Sequence, residues 1–120
     1  MRVDSKAVSS YYREMQIATL PQYNRVVFLH DIMFNTVRQA IYGEKRNIRR
    51  RLNSVQNILV QLTSIIKKDC DEIELANELL LIYDYLYVKL ENEDFISMND
   101  SLQVLSVLHE TFDKLMKKRE

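Results

Sequence analysis

The sequence predicts an all-α protein, an antiparallel up-down four-helix bundle preceded by an N-terminal arm or short helix. Three observations predict it. Glycine and proline each occur once in 120 residues, as Gly43 and Pro21, whereas a β-rich chain needs many turn residues. Apolar residues recur at three- and four-residue steps over four segments. The links between those segments are polar and only a few residues long, and short links join antiparallel neighbours. The bundle is expected over residues 19–120 as a single domain, and the mobile arm over residues 1–18.

The first long helix should begin after Thr19. Thr19-Leu20-Pro21-Gln22 has the form of a capping box, in which a threonine oxygen accepts from the third helical amide and the glutamine reaches back. Pro21 falls in the first turn, where its missing N–H costs little. Val26, Leu29, Met33, Val37 and Ala40 carry the apolar side. Gly43 should end the helix in the left-handed cap conformation.

The second helix is expected from about Glu44 to Lys68. Ile48, Leu52, Val55, Leu59, Leu62 and Ile66 alternate steps of four and three, the seam of a packed helix pair. Ile58 and Ile65 widen it. The third helix should start near Asp71, with Glu74 as its N3 partner, and run to about Glu91. Asn92-Glu93-Asp94 is a polar link. Ser97, with Asp100 three residues on, is the expected cap of the fourth helix. Leu102, Leu105, Leu108, Phe112 and Leu115 lie on one side of that helix, and Lys114, Lys117, Lys118 and Arg119 give its end the charge that a helix C-terminus prefers.

The third helix has more apolar surface than one core contact requires. Thirteen of the eighteen residues from Ile73 to Leu90 are apolar or tyrosine. Ile73, Ala76, Leu80, Tyr83, Tyr87 and Leu90 make one stripe, and Leu75, Leu79, Ile82 and Leu86 make another. A surface helix needs a single stripe to cover a core. A helix with two is either sandwiched inside the bundle or offers its second face to a partner. Tyr83, Tyr85 and Tyr87 splay over more than one face, as suits either core packing or a groove that is apolar at one end and wet at the other.

Composition narrows the chemistry. Lysine plus arginine number 17 and aspartate plus glutamate 17, so net charge gives no general attraction to nucleic acid or membrane. The cluster Lys45, Arg46, Arg49, Arg50 and Arg51 is the best hint of nucleic-acid binding. Residues 71–94 hold eight acids against Lys89 alone, however, so a charge partner exists within the chain. No apolar run is long enough for a membrane span, and the stretch from Met1 to Tyr12 lacks the apolar region of a secretory signal. The single cysteine, Cys70, excludes an internal disulfide and fits a reducing cytosol. Its neighbours Asp69 and Asp71 work against thiolate formation. His30 and His109 stand on different helices without the Glu-x-x-His pairing of a di-metal bundle, and no glycine-rich phosphate loop is possible. The expectation is therefore a cytoplasmic protein with no cofactor, no metal and no catalytic residue.

Tyr12, Ile17 and Thr19, then Phe28-Leu29-His30-Asp31, then Leu52, Gln56, Asn57, Ile58 and Leu62, then Ile82-Tyr83-Asp84-Tyr85-Leu86-Tyr87-Val88-Lys89-Leu90 occur in that order. In order and spacing they resemble the flagellar export chaperones for flagellin, the FliS family, across about Tyr12 to Leu115. The family's Leu-Tyr-Asp-Gly reads Leu29-His30-Asp31-Ile32 here, and the tryptophan usual near its C-terminus is absent. The resemblance implies a cytosolic antiparallel bundle that holds the C-terminal helical segment of flagellin in hydrophobic grooves. Such binding would prevent premature polymerisation and aid delivery to export gate components, without nucleotide.

On that reading the surplus stripe becomes a client groove, expected at Ile58, Leu62, Ile65, Leu75, Leu79, Ile82, Tyr83 and Leu86. Tyr12 and Ile17 in the arm would cover it until a client displaces them. Two other readings stay open. One is a homodimeric adaptor whose second stripe pairs with itself. The other is a small all-α enzyme of the chorismate-mutase kind, which would need arginine or lysine pointing into the core beside an acid.

Overall fold

The computed structural model describes residues 22–119, with side chains as far as Lys114. Thr19, Pro21, the arm residues Tyr12 and Ile17, and the side chain of Leu115 lie outside the described residues. Four helices follow one another: α1 (Tyr23–Tyr42), α2 (Ile48–Asp69), α3 (Ile73–Lys89) and α4 (Phe95–Arg119). No strand occurs among the described residues. Each helix packs on the two beside it, and α1 closes the ring against α4. The predicted all-α four-helix bundle is thus the observed fold.

The helix ends differ from the expected ones, and each difference has a local cause. Gln22 stands at the head of α1 without capping it. Its side-chain amide donates instead to Asp69 at the far end of α2, at 2.7 Å. Gly43 ends α1 with extended backbone rather than the left-handed form. Glycine still suits the position, because a Cβ there would stand 2.7 Å from the Gln39 carbonyl oxygen. The left-handed residue is Asn47, at φ 60°, so α2 starts only at Ile48. Asparagine is one of the few non-glycine residues at home in that region.

The cap of α3 is Glu72, whose carboxylate accepts from the amides of Glu74 and Leu75. At α4 the cap lies one turn earlier than expected, and Ser97 is the residue held by the cap. Asp94 is the capping residue, and its carboxylate accepts from both the Ser97 amide and the Ser97 hydroxyl, at 2.8 and 2.9 Å. Both hydrogen bonds hold the Asp94 carboxyl below its ordinary pKa.

The core follows the predicted seams on α1 and α2. Val26, Leu29, Met33, Val37 and Ala40 are buried, as are Leu52, Val55, Leu59, Leu62 and Ile66. On α4 the buried side comprises Met98, Leu105, Leu108 and Phe112, with Leu102 half-buried. Polar ties span the bundle. The Tyr23 hydroxyl donates to the Phe112 carbonyl at 2.7 Å, and the two rings stack. On the α1–α4 face Asp31 meets His109, and Phe34 stacks flat on the His109 ring.

Candidate functional site

The expected client groove is part of the core. Ile58, Leu62, Ile65, Leu75, Leu79, Tyr83 and Leu86 are all buried, and Ile82 is half-buried. They also do not share a face. Ile65 borders a shallow cleft with Gln22 and Arg25 of α1, on the side of α2 away from α3. Ile58, seven residues earlier, lies two turns along the same side. On α3 the two stripes merge into one broad inward face of Leu75, Leu79, Tyr83 and Leu86, continued by Leu90 just past the helix. An inward arc wider than about 100° is ordinary for a helix that packs between two neighbours. The surplus belongs elsewhere on the helix.

That surplus is outward. Leu81 is 71% exposed and Val88 54% exposed. The two are seven residues apart and therefore on one side of α3. Neither falls on the two predicted stripes. Ile73 is exposed near the same side, and Tyr85 and Tyr87 are partly exposed. A cleft of about 310 Å³ runs beside this row, between α2 and α3. Its α2 side is Leu59, Val60, Thr63 and Lys67, and its α3 side is Leu80, Tyr83, Asp84 and Tyr87. Val60 is 58% exposed. Of the expected groove residues, only Tyr83 lines it.

Tyr83 forms the floor and links the cleft to the bundle centre. Its hydroxyl lies 2.9 Å from Nε2 of His30, which is fully buried. Phe112 presents its ring to His30 edge-on at 4.6 Å. Burial lowers the His30 pKa to about 3, with a smaller contribution from His109, so the imidazole is neutral at pH 7. Burial raises the Tyr83 hydroxyl above its usual range. Nδ1 of His30 has no hydrogen-bond partner among the described residues.

The upper end of the cleft is held by Gln56, buried on α2, whose amide donates to the Tyr87 carbonyl at 3.0 Å. Arg49 secures the same corner. One Nη of its guanidinium donates to the Leu90 carbonyl at 2.6 Å and the other to the Glu91 carbonyl at 2.9 Å. The last carbonyls of a helix have no partner within it and form its negative pole. Arg49 therefore caps α3. Lys45 and Arg51 do the same for α1, through the carbonyls of Ile41 and Gln39. Arg46 pairs with Glu44 at 3.2 Å. Much of the basic cluster is thus engaged in ending helices, a use that charge counting alone did not reveal.

Chemistry at the cleft is that of contact. Its surface is mostly hydrocarbon and phenol, with the cation of Lys67 and the anion of Asp84 at its edges. Among the described residues no cluster of three metal-ligating side chains occurs. The Cys70 thiol is held above its ordinary pKa by burial; the contact with the Glu72 backbone opposes the rise, and the charges of Glu72 and Asp71 add to it. No described helix is long and apolar enough to cross a membrane. No family model, no curated protein and no solved structure matches the chain.

Proposed function

We propose that the protein is a cytosolic export chaperone of the FliS type. It holds the C-terminal helical segment of flagellin against the outer face of α2 and α3. It carries out no bond chemistry and needs no cofactor. The single observation that carries this reading is the surplus apolar row. α3 fills the core with Leu75, Leu79, Tyr83 and Leu86 and still exposes Leu81 and Val88 beside the α2–α3 cleft. An amphipathic helix lays its apolar face on such a surface.

The energetics set what the client must supply. Apolar burial contributes about 25 cal/mol per Å². Ordering a disordered segment costs on the order of 2–5 kcal/mol. A client touching the cleft alone would bind weakly. One that also covers Leu81 and Val88 gains further apolar burial to set against its ordering. The family resemblance supplies the client's identity, and the fold agrees with that resemblance without requiring it.

The test is a calorimetric titration of flagellin's C-terminal peptide into the wild-type protein and a Val60→Asp, Leu81→Asp variant. Both substitutions are at exposed positions, so the variant should fold. Binding to the wild type that weakens at least tenfold in the variant supports the reading. Equal affinity removes this face from the site. A stable dimer at micromolar concentration, undisturbed by the peptide, would instead make the apolar row a self-association face.

A further inference from the structure

We propose that Lys67 and Asp84 fix the direction in which a helical client lies along the α2–α3 cleft. This rests on the reading of the cleft as a helix-docking surface. Both side chains line the cleft, and neither has an ion-pair or hydrogen-bond partner among the described residues. They are of opposite sign and sit at different heights.

The register follows from Gln56, whose amide meets the Tyr87 carbonyl. The helices run antiparallel, so Leu59, three residues on, is level with Asp84. Lys67, eight residues further, is level with Ala76. At 1.5 Å per residue the backbone positions that carry the two charges are separated along the cleft by about 12 Å. That is the spacing of helix positions about seven or eight residues apart, and seven residues make two turns on one face.

The apolar floor cannot distinguish the two ways a helix can lie in it. Hydrophobic contact is non-directional. A charge pair can. A client with an acid at one position and a base two turns later satisfies both Lys67 and Asp84 in one direction. In the other it meets two like charges. Lys68 already places a cation in the last turn of α2, where it suits the helix dipole, but Lys68 borders the α1–α2 cleft instead. Lys67 is the one turned toward α3. The client chemistry is thus an amphipathic helix whose acid, adjoining its apolar face, lies at the Lys67 end and whose base lies at the Asp84 end.

The experiment uses the full chain and synthetic amphipathic peptides of about eighteen residues, long enough to span the cleft. One carries Glu then Lys two turns apart, a second carries Lys then Glu, a third Glu at both positions, and a fourth neutral glutamine at both. A nitroxide at each peptide's N-terminus reports direction through broadening of amide signals in the protein. The first peptide should broaden signals near Lys67, and the second should broaden signals near Tyr87. The doubly acidic peptide should bind several-fold more weakly than the mixed ones at low salt, and the gap should close at high salt. The Lys67→Glu, Asp84→Lys variant should exchange the two directions.

One labelled end, unaffected by charge order or by the double substitution, would overturn the orientation rule while leaving docking intact. If none of the four peptides binds, the neutral one included, the docking reading fails and the rule falls with it.

Discussion

The Tyr83 hydroxyl and Nε2 of His30 lie 2.9 Å apart at the centre of the bundle, joining α3 to α1 across its diagonal. Among the described residues it is the one hydrogen bond of the His30 ring, since Nδ1 has no partner there. Replacing Tyr83 by phenylalanine keeps the ring and strands the imidazole. A buried polar group left unpaired costs about 1–3 kcal/mol. Tyr83→Phe should lower the urea midpoint accordingly, with an unchanged slope because the surface exposed on unfolding is the same.

His30 also makes stability depend on pH. Its folded pKa, about 3, is below the ordinary value of 6.5. Above 6.5 neither folded nor unfolded chain carries the proton, and the group contributes nothing. Below 6.5 the unfolded chain takes up a proton that the folded chain refuses, so stability falls as the solution is acidified. The slope approaches about 1.4 kcal/mol per pH unit between the two values. Asp94, whose pKa is lowered, loses its contribution only in the more acidic carboxylate range. Urea unfolding between pH 7 and pH 5 therefore avoids the Asp94 range, and comparison with a His30 variant isolates His30. The slope should be clearly shallower in His30→Leu, whatever that variant's stability at pH 7.

Arg49 should matter more than an ordinary surface arginine. Its guanidinium spans the carbonyls of Leu90 and Glu91, and its Nε donates to Asn53. Arg49→Ala should cost about 1–2 kcal/mol, at the lower end for charge-assisted bonds because the site is partly exposed. Lysine cannot reach both carbonyls with a planar fork, so Arg49→Lys should recover less than half. Hydrogen exchange should quicken first in the last turn of α3.

Much of the fold was legible because helix seams depend on local spacing. Leu52 to Ile66 on α2 and Val26 to Ala40 on α1 are buried as their periodicity requires. Caps were less legible. Ser97 and Asp94 are both good capping residues, and choosing between them depends on where the chain turns. The site was least legible. Periodicity shows how much of α3 is apolar, but which arc turns inward is set by the positions of α2 and α4. Leu75, Leu79 and Leu86 therefore turn into the core and not toward a client, while the exposed Leu81 and Val88 lie between the stripes. Their seven-residue spacing was the available signal. Lys67 and Asp84 come to line one cleft only through the antiparallel register of two helices.

Gly43 offers a prediction of sign. Gly→Ala usually stabilises by about 0.4–1 kcal/mol where the backbone permits it, by restricting the unfolded chain. The backbone here is not in the left-handed region, so conformation alone would allow alanine. A Cβ would nevertheless meet the Gln39 carbonyl oxygen at 2.7 Å, and that oxygen already accepts from the Gly43 amide at 2.8 Å. Backbone cannot yield as a flexible side chain does. Gly43→Ala should therefore destabilise, by about 1–3 kcal/mol, and a rise in melting temperature would show that the turn relaxes.

The last prediction separates the inner and outer faces of α3. Leu86 is fully buried and Leu81 is 71% exposed, although both are leucines on the same helix. Leu86→Ala should cost about 2–5 kcal/mol through lost burial and the cavity left behind. Leu81→Asp should change stability by no more than about 0.5 kcal/mol, the usual range for an exposed position. Binding should respond in the opposite order. The aspartate introduces a charge where a client's apolar face would rest and should weaken its affinity, whereas Leu86→Ala, measured where it remains folded, should leave affinity nearly unchanged. If Leu86→Ala weakened binding more than Leu81→Asp did in folded protein, the client would be using the interior of the bundle, and the outer row of α3 would lose its assigned role.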